Sequence, residues 1–197
     1  MQGGSQAAYE PATITDVIST IAAEKPDLVF APHVETASGI ILPDNYMRTV
    51  SNAVHDVGGL FILDCVASGA VWVDMKDIGV DVLISAPQKG WSASPCGALV
   101  MLSELGRQKI EETDSSSFSA DLKKWLQIME TYEAGGHAYH ATLQTDAIIK
   151  FHAAMKETET YGFDKMMEQQ KLLGQRVREL LSGKGSVSYT HLRAHET

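Results

Sequence analysis

The chain has 197 residues, 44% of them hydrophobic and 21% charged, which is enough to bury one substantial core in a globular fold. A formal net charge of −9 disfavours phosphate backbones and anionic lipid, so neither nucleic acid nor a membrane is an expected partner; no apolar run approaches a membrane span, and Met1 to Gln6 has no cationic lead into an apolar stretch. The cytoplasm is the expected compartment, and Cys65 and Cys96, whose spacing matches no disulfide framework or metal site, read as reduced packing residues.

In chain order, Ile14, Val17, Ile18, Ile21 and Ala22 recur at helical spacing, with Thr15-Asp16 as the start and Pro26 as the stop. Leu28 to Ala31 reads as a short buried strand. Pro43 opens a second helix through Tyr46, Met47, Val50, Ala53 and Val54, and Gly58-Gly59 ends it before an apolar strand, Leu60 to Asp64. Two further strands follow, Val80 to Ile84 and Gly97 to Leu102. Their apolar character is too continuous for one-sided sheets, so the expected fold is α/β, a mostly parallel sheet with helices on both faces. Beyond Leu102 come a charged helix, a break at Ser115-Ser116-Ser117, an amphipathic piece around Leu122, Trp125, Leu126 and Met129, and an interruption at Gly135-Gly136. Helices then carry Ala147 to Met155 and Phe163 to Leu181. Residues 185–197 have neither periodicity and are set aside as a non-native tail.

In open parallel sheets a ligand lies beyond the carboxyl ends of the strands. Three such ends fall here at Pro32-His33-Val34-Glu35-Thr36, at Asp64-Cys65-Val66 and at Gln88-Lys89-Gly90. A lysine and a carboxylate at adjacent strand ends suit a cofactor that needs both, with an aldehyde for the amine and a pyridine nitrogen for the acid. Pyridoxal phosphate has both groups. Asp64 would then face the ring nitrogen, Lys89 the aldehyde carbon, and Thr36 the phenolic oxygen. Taken singly, Asp64 could be a turn former and Lys89 a solvated surface group. The turn-rich run Ser85-Ala86-Pro87-Gln88-Lys89-Gly90, followed by Ser92 to Gly97, is an odd place for a generic surface charge. His33 could equally satisfy a backbone carbonyl, and His55, on the polar side of its helix, is assigned no role.

The segment from Pro32 to Gly97 resembles the class V aminotransferases of pyridoxal-phosphate fold type I, in particular the alanine–glyoxylate and serine–glyoxylate branch. The resemblance implies that Asp64 pairs with the pyridine nitrogen and that Lys89, after Ser-x-x-Gln, forms the Schiff base. It places Gln88 beside the phosphate and Thr36, in His33-Val34-Glu35-Thr36-Ala37-Ser38-Gly39, against the cofactor, with Val66 among the cofactor-binding residues. Tyr139-His140-Ala141-Thr142 resembles an element whose tyrosine and threonine reach the phosphate of a neighbouring subunit, which implies a homodimer with shared sites. From residues alone the same stretch reads as a polar loop, with Thr142 or Thr145 capping the next helix.

The implied activity is transamination between a small amino acid, alanine or serine, and a 2-oxo acid, glyoxylate or pyruvate. A cysteine desulfurase would carry histidine directly before the lysine, where this chain has Gln88. A lyase of the same cofactor fold, or a noncatalytic module that retains the sheet, is also compatible with these residues. Residues 1–140 read as part of the cofactor-binding large domain and 141–184 as its helical continuation toward a small domain. The family's phosphate loop, stacking aromatic ring and carboxylate-binding arginine have no counterpart here, so the chain reads as the middle of a longer protein, expected to be inactive by itself and poorly soluble through exposed edges and apolar surface.

Overall fold

The computed structural model describes residues 10–186; the start of the chain and residues 187–197 of the predicted tail lie outside them. Helix α1 (Ile14–Glu24) begins at Thr13, whose hydroxyl accepts the Asp16 N–H at 3.3 Å, two residues ahead of the predicted start. The cap decides the boundary because Thr13 satisfies an N–H that has no partner within the helix.

Strand β1 (Leu28–Pro32) leads into a small hairpin, β2 (Val34–Glu35) and β3 (Ile40–Ile41), which the sequence did not announce. Helix α2 (Asp44–Asp56) follows Pro43, then β4 (Leu60–Asp64), the short α3 (Met75–Ile78), β5 (Val82–Ser85) and β6 (Leu99–Leu102). The main sheet runs β1-β4-β5-β6, with β1, β4 and β5 parallel and β6 antiparallel to β5. Two predicted strands are shorter than expected. Val80 and Asp81 belong to the turn out of α3, where the Val80 N–H donates to the Met75 carbonyl. Leu99 opens β6 because its partner Ser85 is the last residue of β5 before the chain turns at Pro87.

One face of the sheet is covered by α1, α2 and α3. Phe61 and Leu63 are fully buried there beside Leu83, Ile21, Met47, Val50, Val54 and Ile78. Each large side chain removed from water on this face contributes roughly 1.5–3 kcal/mol. On the other face α4 (Glu104–Glu111) packs by β6, whereas Leu28 and Phe30 of β1 remain 58% exposed. Helices α5 (Leu122–Glu133), α6 (Thr145–Tyr161) and α7 (Phe163–Gly183) complete the described chain, and none of its helices is long and apolar enough to cross a membrane. The residue capping α6 is Gln144, not Thr142 or Thr145, and its side chain makes no cap bond.

A buried carboxylate ties these layers together. Asp81, 3% exposed, accepts the Phe61 N–H at 2.9 Å and the Ser103 hydroxyl at 2.9 Å, and its Oδ2 lies 2.7 Å from His55 Nε2. His55, left without a role by the sequence, therefore joins α2 to the start of β5. So buried a carboxyl group is tolerable because its oxygens are met by hydrogen-bond partners from three elements.

Candidate active site

Asp64 ends β4 and pairs in register with Ile84 of the parallel neighbour β5. Lys89 follows five residues after Ile84, on the turn that leaves β5. The Asp64 carboxylate is half-buried, and its Oδ1 accepts the Val66 N–H at 2.8 Å, which bends the chain sharply after the strand. The Lys89 turn is closed by Ser92 N–H to the Lys89 carbonyl and by Ala93 N–H to the Pro87 carbonyl, both at 3.0 Å. Pro87 is fully buried while Gln88 and Lys89 are exposed, so the turn is anchored from beneath and presents its amide and amine outward.

The two loops meet as bare backbone. A β-carbon on Gly90 would lie 2.5 Å from the Gly69 carbonyl carbon and 3.0 Å from its Cα, so this approach requires glycine at position 90. The loop bearing Asp64 and the turn bearing Lys89 are thereby brought together.

The end of β1 is tied to the same place. His33, 2% exposed, donates its backbone N–H to the Asp64 carbonyl at 2.9 Å, and its Nδ1 lies 2.7 Å from Ser68 Oγ. The ring meets that hydroxyl, where the sequence had offered a backbone carbonyl as one alternative. Burial pushes the His33 ring below the ordinary histidine range, against a smaller opposing pull from Asp44. Burial likewise raises the Cys65 thiol to about 11, despite a hydrogen bond from Ser68 and with a small push from Asp64.

Thr36 sits exposed in the turn between β2 and β3. Beside it the Glu35 carboxylate is held below the usual range by the Ser38 backbone N–H and hydroxyl and by the Ala37 N–H. Tyr139, 71% exposed, and Thr142 occupy a different loop, between α5 and α6, where their hydroxyls lie 3.3 Å apart. Their neighbour His140 faces the Phe118 carbonyl at 2.9 Å and packs its ring on Phe118 and Trp125.

Sequence reasoning missed the supports of the site. Gln170 of α7 accepts the Ala70 N–H and donates to the Ser68 carbonyl. Trp72 and Trp91 lie 4.8 Å apart, and Phe163 and Phe151 pack edge-on against them. The Trp72 indole N–H donates to the Phe163 carbonyl at 3.2 Å. Large aromatics flanking both site loops, in a chain only 7% aromatic, were the available signal.

The donor set fits pyridoxal phosphate: an exposed amine and a half-buried carboxylate at neighbouring strand ends, with an exposed amide and hydroxyl from Gln88 and Thr36 and a glycine-lined approach between the loops.

Comparison with known proteins shows the family and the fold. The family model described as aminotransferase class-V matches residues 6–197. The chain is 33% identical over 155 residues to alanine–glyoxylate aminotransferase of Callithrix jacchus, covering 77% of this chain and 36% of that protein. It is 29% identical over 145 residues to alanine–glyoxylate aminotransferase 1 of Saccharomyces cerevisiae, covering 70% and 37%. The crystal structure of alanine–glyoxylate aminotransferase from Nostoc sp. superposes with a TM-score of 0.78 at 20% identity, covering 88% of this chain and 45% of that one. The chain thus spans less than half the length of these relatives. With the mostly parallel sheet, its flanking helices and the family match over nearly all of its residues, the chain belongs to the class-V aminotransferases.

Proposed function

We propose that the whole protein is a pyridoxal-phosphate-dependent aminotransferase that passes an amino group from a small amino acid, alanine or serine, to a 2-oxo acid, glyoxylate or pyruvate, and that this chain carries part of its site. The observation that carries this reading is the backbone contact between the Asp64 loop and the Lys89 turn at the ends of adjacent parallel strands. When bound, the cofactor supplies an electron sink for the charge left as a substrate loses its α-proton. Asp64 would offer a carboxylate to hold a proton at the ring nitrogen, and Lys89 would offer the amine that holds the cofactor and takes up or returns the substrate's α-proton. Gln88, Thr36 and Val66 line the cofactor's place. Tyr139 and Thr142, on their exposed loop, serve the site of a second copy, so the working form is a homodimer. The free thiols Cys65 and Cys96 suit a reducing compartment such as the cytoplasm.

The test is to add pyridoxal phosphate, reduce with borohydride and map the modified peptide. The expected result is one adduct, at Lys89, absent from Lys89→Ala. An adduct spread over surface lysines would reject the reading. Asp64→Asn should retain the adduct and, in the whole protein, lower transamination about 10²–10³-fold, by analogy with the loss of one charge-stabilising group; near-normal turnover there would remove Asp64 from this role.

A further inference from the structure

We propose that Gln170 is a positioning residue that sets the Asp64 loop, and through it the Lys89 turn, in working order. This inference rests on the functional reading above. Gln170 lies 100 residues beyond Ala70, on α7, and its side-chain amide runs along the loop as a short strand would. The Ala70 N–H donates to Oε1 at 2.6 Å, and Nε2 donates to the Ser68 carbonyl at 3.3 Å. Both halves of the amide are used, and between them sits Gly69.

Gly69 has φ +62°, and a β-carbon there would fall 2.6 Å from Gln170 Oε1 and 2.9 Å from Cδ. The left-handed backbone favours glycine, and any β-carbon there would displace the Gln170 amide. On its other side Gly69 presents its carbonyl to Gly90, next to Lys89. Gln170, Gly69 and Gly90 therefore form three tiers without intervening side chains, so a shift of the glutamine passes directly to the lysine turn. Ser68, bonded through its carbonyl to Gln170, also meets His33 through its hydroxyl, and His33 in turn donates to the Asp64 carbonyl. One amide thus reaches the strand end that bears the acid and the turn that bears the amine. The aromatic cluster of Trp72, Trp91, Phe151 and Phe163 holds the same loops to α6 and α7, and its apolar contacts are less directional. Gln170 supplies the oriented contact.

The test compares Gln170→Leu, which has neither donor nor acceptor, with Gln170→Glu, which keeps the acceptor for Ala70 but cannot donate to Ser68. Two readouts are needed, hydrogen exchange in the cofactor-free protein and the rate of borohydride-trapped capture of Lys89 by pyridoxal phosphate. Each lost hydrogen bond is worth about a fivefold factor, so Gln170→Leu should speed exchange over 66–71 and 87–92 about 25-fold while β4 and α2 are unchanged. Capture of Lys89 should slow about tenfold or more, with Gln170→Glu between the two. Unchanged exchange in those segments, or capture within twofold of the parent, overturns the proposal. If Gln170→Leu loosens the whole fold, Gln170→Glu is judged by the same two criteria. If the parent protein itself is not captured at Lys89, the functional reading fails, and the exchange data alone decide whether Gln170 orders the loops.

Discussion

Adding one methyl group at Gly90 should disable the site without unfolding the protein. The β-carbon of Gly90→Ala would stand 2.5 Å from the Gly69 carbonyl carbon and 3.0 Å from its Cα, with the carbonyl oxygen nearer still. Carbons in contact sit about 3.5–4 Å apart, so relief takes about 1 Å of separation between the two loops. A retreat of Gly69 would press on the Gln170 amide and disturb its bonds to the Ala70 N–H and the Ser68 carbonyl. The Lys89 turn gives way instead, carrying the amine about 1 Å from its place, and a misplacement of that size costs on the order of 100-fold in rate. The assay is the rate of pyridoxal phosphate capture at Lys89, read beside Gly97→Ala as control, since a β-carbon at Gly97 meets nothing within 4 Å. Capture by Gly90→Ala within twofold of the control would refute the claim that backbone contact between the loops sets the position of the amine.

Asp81→Ala should destabilise the fold by about 3–4 kcal/mol in urea unfolding, since it strands the buried Phe61 N–H and removes the partners of Ser103 and His55; a loss under about 1 kcal/mol would deny the network its structural role. For His33 the folded pKa lies below the ordinary 6.5, so the native state binds fewer protons than the unfolded chain. Its contribution is therefore present above pH 6.5 and lost as pH falls through that value toward the folded pKa. His33→Asn should flatten the decline in stability between about pH 7 and pH 5, and an unchanged slope would contradict this assignment. Iodoacetamide at about pH 8 should label half-exposed Cys96 and spare Cys65, whose thiol is pushed up to about 11; equal labelling rates would show that Cys65 is not held as described.

Much of the sheet was legible because its strands are continuous apolar runs that alternate with amphipathic helices. Phe61 and Leu63, Met47 and Val54 were all assigned to such elements, and they form the core. Asp64 and Lys89 stood out for a local reason, a charged group directly after an apolar run and its turn. Asp81 was absorbed into a strand because its neighbours Val80 and Val82 are apolar, and nothing local announces that a carboxylate there collects donors from β4, α2 and the start of α4. The hairpin around Thr36 escaped notice because its strands are two residues each. Gln170, Trp72 and Trp91 are decided by tertiary packing between loops and distant helices, and no periodicity encodes a contact across 100 residues.

The reach of Gln170 also bears on when this region becomes competent during synthesis. The four strands of the sheet are all present once Leu102 has emerged from the ribosome. The loops over their ends must wait for another 68 residues to be translated before the glutamine that holds them arrives. Closing so long a segment is entropically expensive and slow compared with pairing neighbouring strands. A nascent chain therefore passes through a stage with paired strands and loops not yet held by α7.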